Sequence, residues 1–315
     1  MINKKDKIFL TGHKGLVGSA ILRLLKKKGY KNIILVKKKN LNLLDQNKVF
    51  KFLEKKKPKI VIIAAARVGG IKANNTYKAD FIRENLDIQN NLIHGSFKNG
   101  VKKIIFLGSS CVYPINCKRP IKEKYLLTGP LEPTNEPYAV AKIAGIKMCE
   151  SYNSQYNTNY ICLMPTNTFG PGDNYNLQSS HFIPAILKKI HLAKQKKNSS
   201  ILLWGTGMPK REVIYVEDLA DAVIYFMNKK VKHNLINIGS SQEKSIKEFA
   251  KLILKVLKVK LKVKFDNNQK MDGMKSKVLD TTLAKRYGWK PKIKLNDAIL
   301  ETYEELKKNF KKIRS

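Results

Sequence analysis

The stretch that most limits what this chain can become lies near its start. Lys7-Ile-Phe-Leu-Thr11 is a short apolar run, and Gly12-His-Lys-Gly15-Leu-Val-Gly18 follows it. Apolar residues then recur with helical spacing at Leu16, Val17, Ala20, Ile21, Leu24 and Leu25. A buried strand, a glycine turn and an amphipathic helix in that order form the first unit of a nucleotide-binding α/β fold. Glycines at such a turn let backbone approach a pyrophosphate seated at the helix N-terminus. We therefore expect a dinucleotide at Gly12, His13, Lys14, Gly15, Leu16, Val17 and Gly18. A tight turn without a ligand is the plainer alternative.

Further strand and helix units follow. Asn32–Val36, Lys59–Ala66, Lys103–Leu107 and Asn159–Met164 read as strands, with a helix over about 78–98 and another opening near Tyr138. Lys59–Ala66 is apolar at every position after the first, as a parallel strand covered on both faces requires. A polar loop is expected at 68–77, at the carboxyl edge where open α/β sheets bind ligands. The fold class expected is α/β, a Rossmann doubly wound parallel sheet with a smaller C-terminal substrate-binding subdomain. Residues 1–170 form the nucleotide-binding part and 171–315 the second, partly interleaved with the first. In that second part we expect helices from His181 to Ile190 and Glu217 to Tyr225, and strands at Ile201–Trp204 and Arg211–Val216. Two more helices are expected, at Ile246–Leu257 with Ser245 as its cap and at Lys294–Phe310.

The second strand ends in Lys37-Lys-Lys39, and no Asp or Glu occurs from Ile33 to Leu44. An NAD site would usually place an acid here for the ribose 2′-hydroxyl. A 2′-phosphate calls for cations instead, which Lys38 and Lys14 supply. The cofactor expected is NADP(H).

Composition narrows the partners. The net charge is +38, yet only 7 of the 62 basic residues are Arg and they are scattered. There is no Arg-rich helix and no interleaving of aromatic with basic residues, so a nucleic-acid partner is not expected, although the charge keeps that class open. Lysine wherever a solvated position tolerates it is the simpler account, and a positive field draws anionic substrates. No apolar run approaches the roughly 18 residues a membrane span needs, and Met1-Ile-Asn-Lys-Lys-Asp6 lacks the pattern of a signal peptide. A cytosolic location without a membrane partner is expected. Cys111, Cys117, Cys149 and Cys162 include no Cys-x-x-Cys pair, which points to free thiols and no metal site.

Chemistry is concentrated in Phe106-Leu-Gly-Ser-Ser-Cys-Val-Tyr-Pro114 and Tyr138-Ala-Val-Ala-Lys142. Tyr138 and Lys142, four apart, share a helix face. Tyr-x-x-x-Lys also occurs at Tyr225 and Tyr303, but only Tyr138 follows a strand ending in Gly-Ser-Ser. Ser109 at the strand mouth, with Tyr138 and Lys142, is a set able to give a proton to a carbonyl oxygen. Lys142 is expected to pull the Tyr138 pKa down from about 10 toward neutrality.

A resemblance sharpens this reading. Gly12-His-Lys-Gly-Leu-Val-Gly-Ser-Ala20, Ala64-Ala-Ala-Arg-Val-Gly-Gly-Ile71, Leu107-Gly-Ser-Ser-Cys-Val-Tyr-Pro114, Glu132-Pro-Thr-Asn-Glu-Pro-Tyr138 and Ser180-His-Phe-Ile-Pro184 resemble the GDP-L-fucose synthases, extended short-chain dehydrogenases. The similarity runs nearly end to end. It implies epimerisation of a GDP-4-keto-6-deoxy-D-mannose at C3 and C5, then hydride delivery to C4. It assigns Cys111 as base and His181 as acid, beside Ser109, Tyr138 and Lys142. It also implies cofactor contacts at Leu107, Gly108, Ser109, Ser110, Lys142, Pro165, Thr166, Asn167, Thr168 and His181. Substrate contacts fall at Lys189, Trp204, Arg211, Asp272 and Lys277, with Arg211 able to fork onto the diphosphate. A homodimer through the helices near 78–98 and 138–156 is implied as well. Two departures stand out: Tyr215 replaces a His common in the family, and Asp272-Gly-Met-Lys-Ser-Lys277 lacks its Thr-Pro-Arg. Alternatives on the same fold are a nucleotide-sugar 4-epimerase or a simple 4-keto reductase. The first usually has Thr or Ser at position 111 and an acid after strand two; the second does not need Cys111 and His181.

Overall fold

Side chains point alternately to opposite faces along a strand, so a strand covered on both sides must serve two cores at once. The central strands here do so. The computed structural model describes residues 2–269 and 272–313. Its first half runs β1 (Ile8–Thr11), α1 (Leu16–Lys27), β2 (Ile33–Ile34), α2 (Gln46–Lys56), β3 (Ile60–Ile63), α3 (Ile71–Thr76), α4 (Lys78–Lys98), β4 (Lys103–Leu107), α5 (Glu136–Tyr156) and β5 (Asn159–Pro165). The second half runs β6 (Asn167–Phe169), α6 (Phe182–Gln195), β7 (Ser200–Leu203), β8 (Lys210–Tyr215), α7 (Val216–Asn228), β9 (Leu235–Ile238), β10 (Glu243–Ser245), α8 (Ile246–Val256), β11 (Lys262–Phe265), α9 (Thr282–Arg286) and α10 (Leu295–Ile313).

Six strands pair in parallel in the order β2-β1-β3-β4-β5-β9. Ile8, Leu10, Ile60, Ile62, Ile105 and Ile161 face a core shared with Ala20, Ile21 and Leu25 of α1 and Leu219 and Val223 of α7. Phe9, Val61, Ile63, Ile104, Phe106 and Cys162 face a second core with Val49 and Leu53 of α2, Leu92 of α4 and Ile146 of α5. Each fully buried aliphatic side chain contributes about 1.5–3 kcal/mol of transfer free energy. Among the described residues no helix is long and apolar enough to cross a membrane.

Several features differ from the sequence expectations, α2, β6, β10, β11 and α9 forming where no element was expected, and three bear on the sheet and the cleft. The second strand pairs over Ile33–Ile34 only, because the lysines after Val36 leave toward solvent. The expected loop at 68–77 contains α3, with Asn74 Nδ2 donating to the carbonyls of Gly69 at 2.6 Å and Gly70 at 3.1 Å. The sixth strand, β9, comes from residues for which no element was expected; Cys162 lies opposite Leu235 in its pairing with β5. The sheet thus draws on residues from both sides of position 170, and α7 packs against α1. The cap expected at Ser245 is present as a full capping box with Glu248. Outside the main sheet, β10-β8-β6 form a small sheet and β7 pairs with β11.

The chain leaves β1 for β2 on one side and then crosses to β3 on the other, so the crevice opens at the carboxyl ends of β1 and β3. Gly12 ends β1 with φ +69°, and a Cβ there would lie 2.6 Å from Ala64 O. Only glycine permits that approach. On the opposite core, α5 crosses β4 and α4 at Gly145, where a Cβ would lie 2.7 Å from Phe106 Cζ and 2.8 Å from Gln89 Oε1. This crossing sets the height of α5 against the sheet. Gly145→Ala should therefore destabilise the fold by about 1–3 kcal/mol despite alanine's better helix propensity. A lower thermal midpoint is the expected result; an unchanged or raised one would mean that the crossing is loose.

Candidate active site

Ser109 leaves the mouth of β4 in an extended conformation, and a 3-10 turn over Ser110–Val112 turns the chain back. The Ser109 hydroxyl accepts from the Cys111 N–H at 3.3 Å, which ties the two residues to one turn. From α5, Lys142 is 3% exposed. Its Nζ donates to Leu107 O at 3.0 Å and lies 4.7 Å from the Phe106 ring centre and 5.8 Å from that of Tyr138. Burial lowers the Lys142 pKa to about 8, so the ammonium persists at neutral pH.

Tyr138 faces Ser109 and Cys111 across the crevice. Burial raises its pKa, the Cys111 charge raises it further, and a hydrogen bond with Ser109 opposes both. The sequence expectation that Lys142 would lower this pKa is not met. The ammonium is engaged by the Leu107 carbonyl, and desolvation of the phenolate dominates. The consequence is a phenol that keeps its proton at neutral pH, as a proton donor must.

His181 occupies the cap position before α6, yet its ring makes no capping hydrogen bond and remains open to the crevice. Its pKa is lowered, first by burial of the charged form and then by the nearby Lys277 ammonium. Cys111 is half-buried, and Lys277 Nζ donates to its Sγ at 3.3 Å.

Ser109, Cys111, Tyr138, His181 and Lys277 line one cleft of ≈ 1100 Å³. At one end it is lined by the whole turn from Gly12 to Gly18 together with Lys37 and Lys38. Gly15 precedes α1 without a side-chain cap, and no acidic residue stands in the first turn of that helix. Its free N–H groups and partial positive charge suit a pyrophosphate. The His13 pKa is lowered by burial and by the charges of Lys14 and Lys37, which gathers a cationic corner where the missing acid would have been. These residues fit a phosphorylated dinucleotide. The middle of the cleft is lined by Gly108, Ser109, Ser110, Cys111, Tyr138, the Pro165–Thr168 stretch and His181. Leu107 and Lys142 stand behind that wall, the carbonyl of one holding the ammonium of the other.

The far end holds Lys189, Trp204, Arg211, Asp272 and Lys277. Lys189 Nζ donates to Leu202 O at 2.6 Å and lies 5.3 Å from the Trp204 ring centre. Arg211 donates to the carbonyls of Met274 at 2.6 Å and Asp272 at 2.7 Å. The Asp272 carboxylate accepts from the N–H of Thr206 at 2.8 Å and from its hydroxyl at 2.7 Å. Arg211 and Asp272 are thus engaged in holding the 272–274 segment over the cleft.

Sequence reasoning passed over several lining groups. The buried oxygens Asn135 Oδ1, Asp173 Oδ2, Ser180 Oγ and Asn74 Oδ1 have no hydrogen-bond partner among the described residues, and all four residues line the cleft. Burial raises the Asp173 pKa to about 7. Asn135 and Ser180 lie within the quoted motifs and Asn74 within the expected polar loop, but nothing in those stretches gave them a role, and Asp173 carries no such mark. Lys37 was visible as part of the lysine run, but lysine is too frequent in this chain for one to stand out.

Comparison with known proteins agrees with this geometry. Residues 8–239 match the model of the NAD dependent epimerase/dehydratase family. GDP-L-fucose synthase 1 of Arabidopsis thaliana is 47% identical over 309 residues, covering 98% of this chain and 95% of its own. Among solved structures, a GDP-L-fucose synthetase from Naegleria fowleri bound to NADP superposes with a TM-score of 0.91 at 28% identity, covering 100% of this chain and 98% of that one. A GDP-mannoheptose C4 reductase from Campylobacter jejuni with NADP bound gives 0.89 at 39% identity, covering 98% of this chain and 100% of its own. The chain belongs to the NAD dependent epimerase/dehydratase family and, within it, to the GDP-L-fucose synthases.

Proposed function

We infer that the chain converts GDP-4-keto-6-deoxy-D-mannose to GDP-L-fucose, with epimerisation at C3 and C5 followed by NADPH-dependent reduction at C4. The observation that carries this reading is the meeting of two kinds of chemistry in one cleft. Ser109 and Tyr138 suit carbonyl reduction, whereas Cys111 and His181 suit proton exchange beside that carbonyl, and all four line the same walls. A reductase alone needs only the first pair.

The proposed steps use these residues as follows. The Cys111 thiolate takes the proton from a carbon next to the ketone, and the C–H electron pair moves onto the C4 oxygen. Hydrogen bonds from the Ser109 and Tyr138 hydroxyls stabilise the enolate so formed. The His181 imidazolium returns a proton from the opposite face, the electron pair falls back, and the carbon is inverted. Because C3 and C5 both flank C4, one enolising carbonyl serves both centres. The Gly12–Gly18 turn would hold the NADPH pyrophosphate, Lys14, Lys37 and Lys38 would receive its 2′-phosphate, and the bound cofactor would supply the hydride for C4. Tyr138 delivers the proton to the C4 oxygen, and its raised pKa keeps that proton in place until the alkoxide forms. Lys142, bonded to Leu107 O, supports Tyr138 from behind. Trp204, Lys189 and the segment bound to Arg211 receive the nucleotide end of the substrate. A cytosolic homodimer joined through α4 and α5 belongs to the same reading; those helices already pack side by side within one chain.

The decisive experiment supplies NADPH and GDP-4-keto-6-deoxy-D-mannose in deuterated water and examines the product by NMR. Deuterium at both C3 and C5 of GDP-L-fucose is expected; a reduced product without it would overturn the epimerase assignment. Cys111→Ser should lose deuterium exchange at least about a hundredfold, in the range typical of a removed acid–base group, and hydride transfer much less. Equal losses would make Cys111 structural. Replacing both Lys37 and Lys38 with Ala should raise the KM for NADPH about tenfold, the scale of a lost charged hydrogen bond, and alter NADH use little. Equal weakening of both cofactors would remove the 2′-phosphate from that corner.

A further inference from the structure

The resemblance placed Lys277 among the substrate contacts, but its ammonium is directed at the Cys111 sulfur, 3.3 Å away. Lys277 is 8% exposed and forms no salt bridge among the described residues. A buried ammonium without an anion is costly. We propose that Lys277 is a positioning residue for epimerisation, holding Cys111 as the thiolate and aiming its sulfur into the cleft. This rests on the reading of Cys111 as the base.

The backbone around Lys277 is built to hold that aim. Ser276 O accepts from Arg119 Nε at 2.9 Å, and Ser276 Oγ donates to Glu243 Oε2 at 2.7 Å. Val278 O accepts from Ile121 N and Asp280 N donates to Ile121 O, both at 2.8 Å. Leu279 N donates to Glu212 Oε2 at 2.8 Å. On the other side, the Cys111 N–H is pinned to Ser109 Oγ. Residues on both sides of the contact are therefore fixed through separate parts of the fold.

Five titratable or charged groups bear on the contact, one of them Cys117, whose pKa is raised by burial against the opposing charges of Arg119 and Lys277. Lys277 touches the sulfur, and Arg211 is close enough for a Cys111 charge to stabilise its guanidinium. Tyr138 stays a neutral phenol, its ionised form opposed by the Cys111 charge. His181 feels the Lys277 charge, which makes its imidazolium a stronger acid. On this proposal one ammonium bears on both the base and the acid that inversion at carbon requires.

The test measures two half-reactions on Lys277→Met, Lys277→Arg and Cys111→Ser. Proton exchange is read by deuterium uptake from heavy water into the 4-keto sugar without NADPH. Hydride transfer is read in reverse, from GDP-L-fucose and NADP+, which needs no epimerisation. Lys277→Met should lower exchange at least about tenfold more than hydride transfer, since an opposite charge at this range moves a protonation equilibrium by about 1–3 units. Its exchange profile should move to higher pH, and iodoacetamide labelling of the Cys111 peptide at neutral pH should slow by a similar factor. Lys277→Arg should recover most of each effect. Equal loss of both half-reactions, or a raised KM with unchanged labelling and pH profile, would reduce Lys277 to a substrate contact and overturn the proposal. Labelling rates are compared on protein whose thermal midpoint matches wild type; for a variant that fails to fold, Lys277→Arg decides, and slow labelling there with a native midpoint overturns it. If Cys111→Ser keeps its exchange, the base assignment itself fails, and that outcome is separate from any result at Lys277.

Discussion

Because a parallel strand in this fold is covered on both faces, every side chain along it is claimed by one core or the other, and nothing polar can work in its middle. Phe9 between Ile8 and Leu10, and Val61 between Ile60 and Ile62, illustrate the sharing. Reactive groups are consequently confined to the carboxyl ends, where strands stop and backbone turns away. Ser109 and Cys111 follow β4, the glycine turn follows β1, and the Pro165–Thr168 stretch closes β5 and opens β6. The cleft is the place where the sheet's packing requirement ends.

Burial then decides the protonation states there. It keeps the proton on Tyr138, weakens the hold of Lys142 on its own, and lowers His181. All three are shifted toward their neutral forms, although the Lys142 ammonium still persists at neutral pH. Against that background the cations Lys277 and Arg211 stand out, because they lie near the one thiol in the described cleft wall and near the oxygen atoms of the 272–274 segment. Local charge thus comes from residues far along the chain from the strand mouth they serve.

Much of this was legible in the residues and some was not, for identifiable reasons. The first strand, its glycine turn and α1 declared themselves because an apolar run, a conformational requirement and a helical period coincide within twenty residues. Ser109, Cys111, Tyr138 and His181 meet in one cleft as the motifs suggested. Leu235–Ile238 escaped notice because four residues carry too little pattern, and their place beside β5 depends on a pairing more than seventy residues away. α3 was hidden by the turn preference of Asn74 and Asn75, yet the Asn74 side chain bonds the carbonyls of Gly69 and Gly70 within the helical start. Arg211 looked free to fork onto phosphate, whereas its donors reach carbonyls sixty residues on. The direction of Tyr138's shift was misjudged because a helical neighbour was weighed and the surrounding burial could not be.

The segment that Arg211 holds at Asp272 and Met274 is the same short stretch that ends in Lys277. Under the proposed function, a nucleotide settling against Trp204 and Arg211 would press on a segment whose other end rests on the Cys111 sulfur. The nucleotide of the substrate, which undergoes no chemistry, would then gain mechanical leverage over the step that does. In such an arrangement binding energy from the unreactive half is realised as speed at the sugar as well as affinity, and the diphosphonucleoside becomes a working part of the catalyst for as long as it stays.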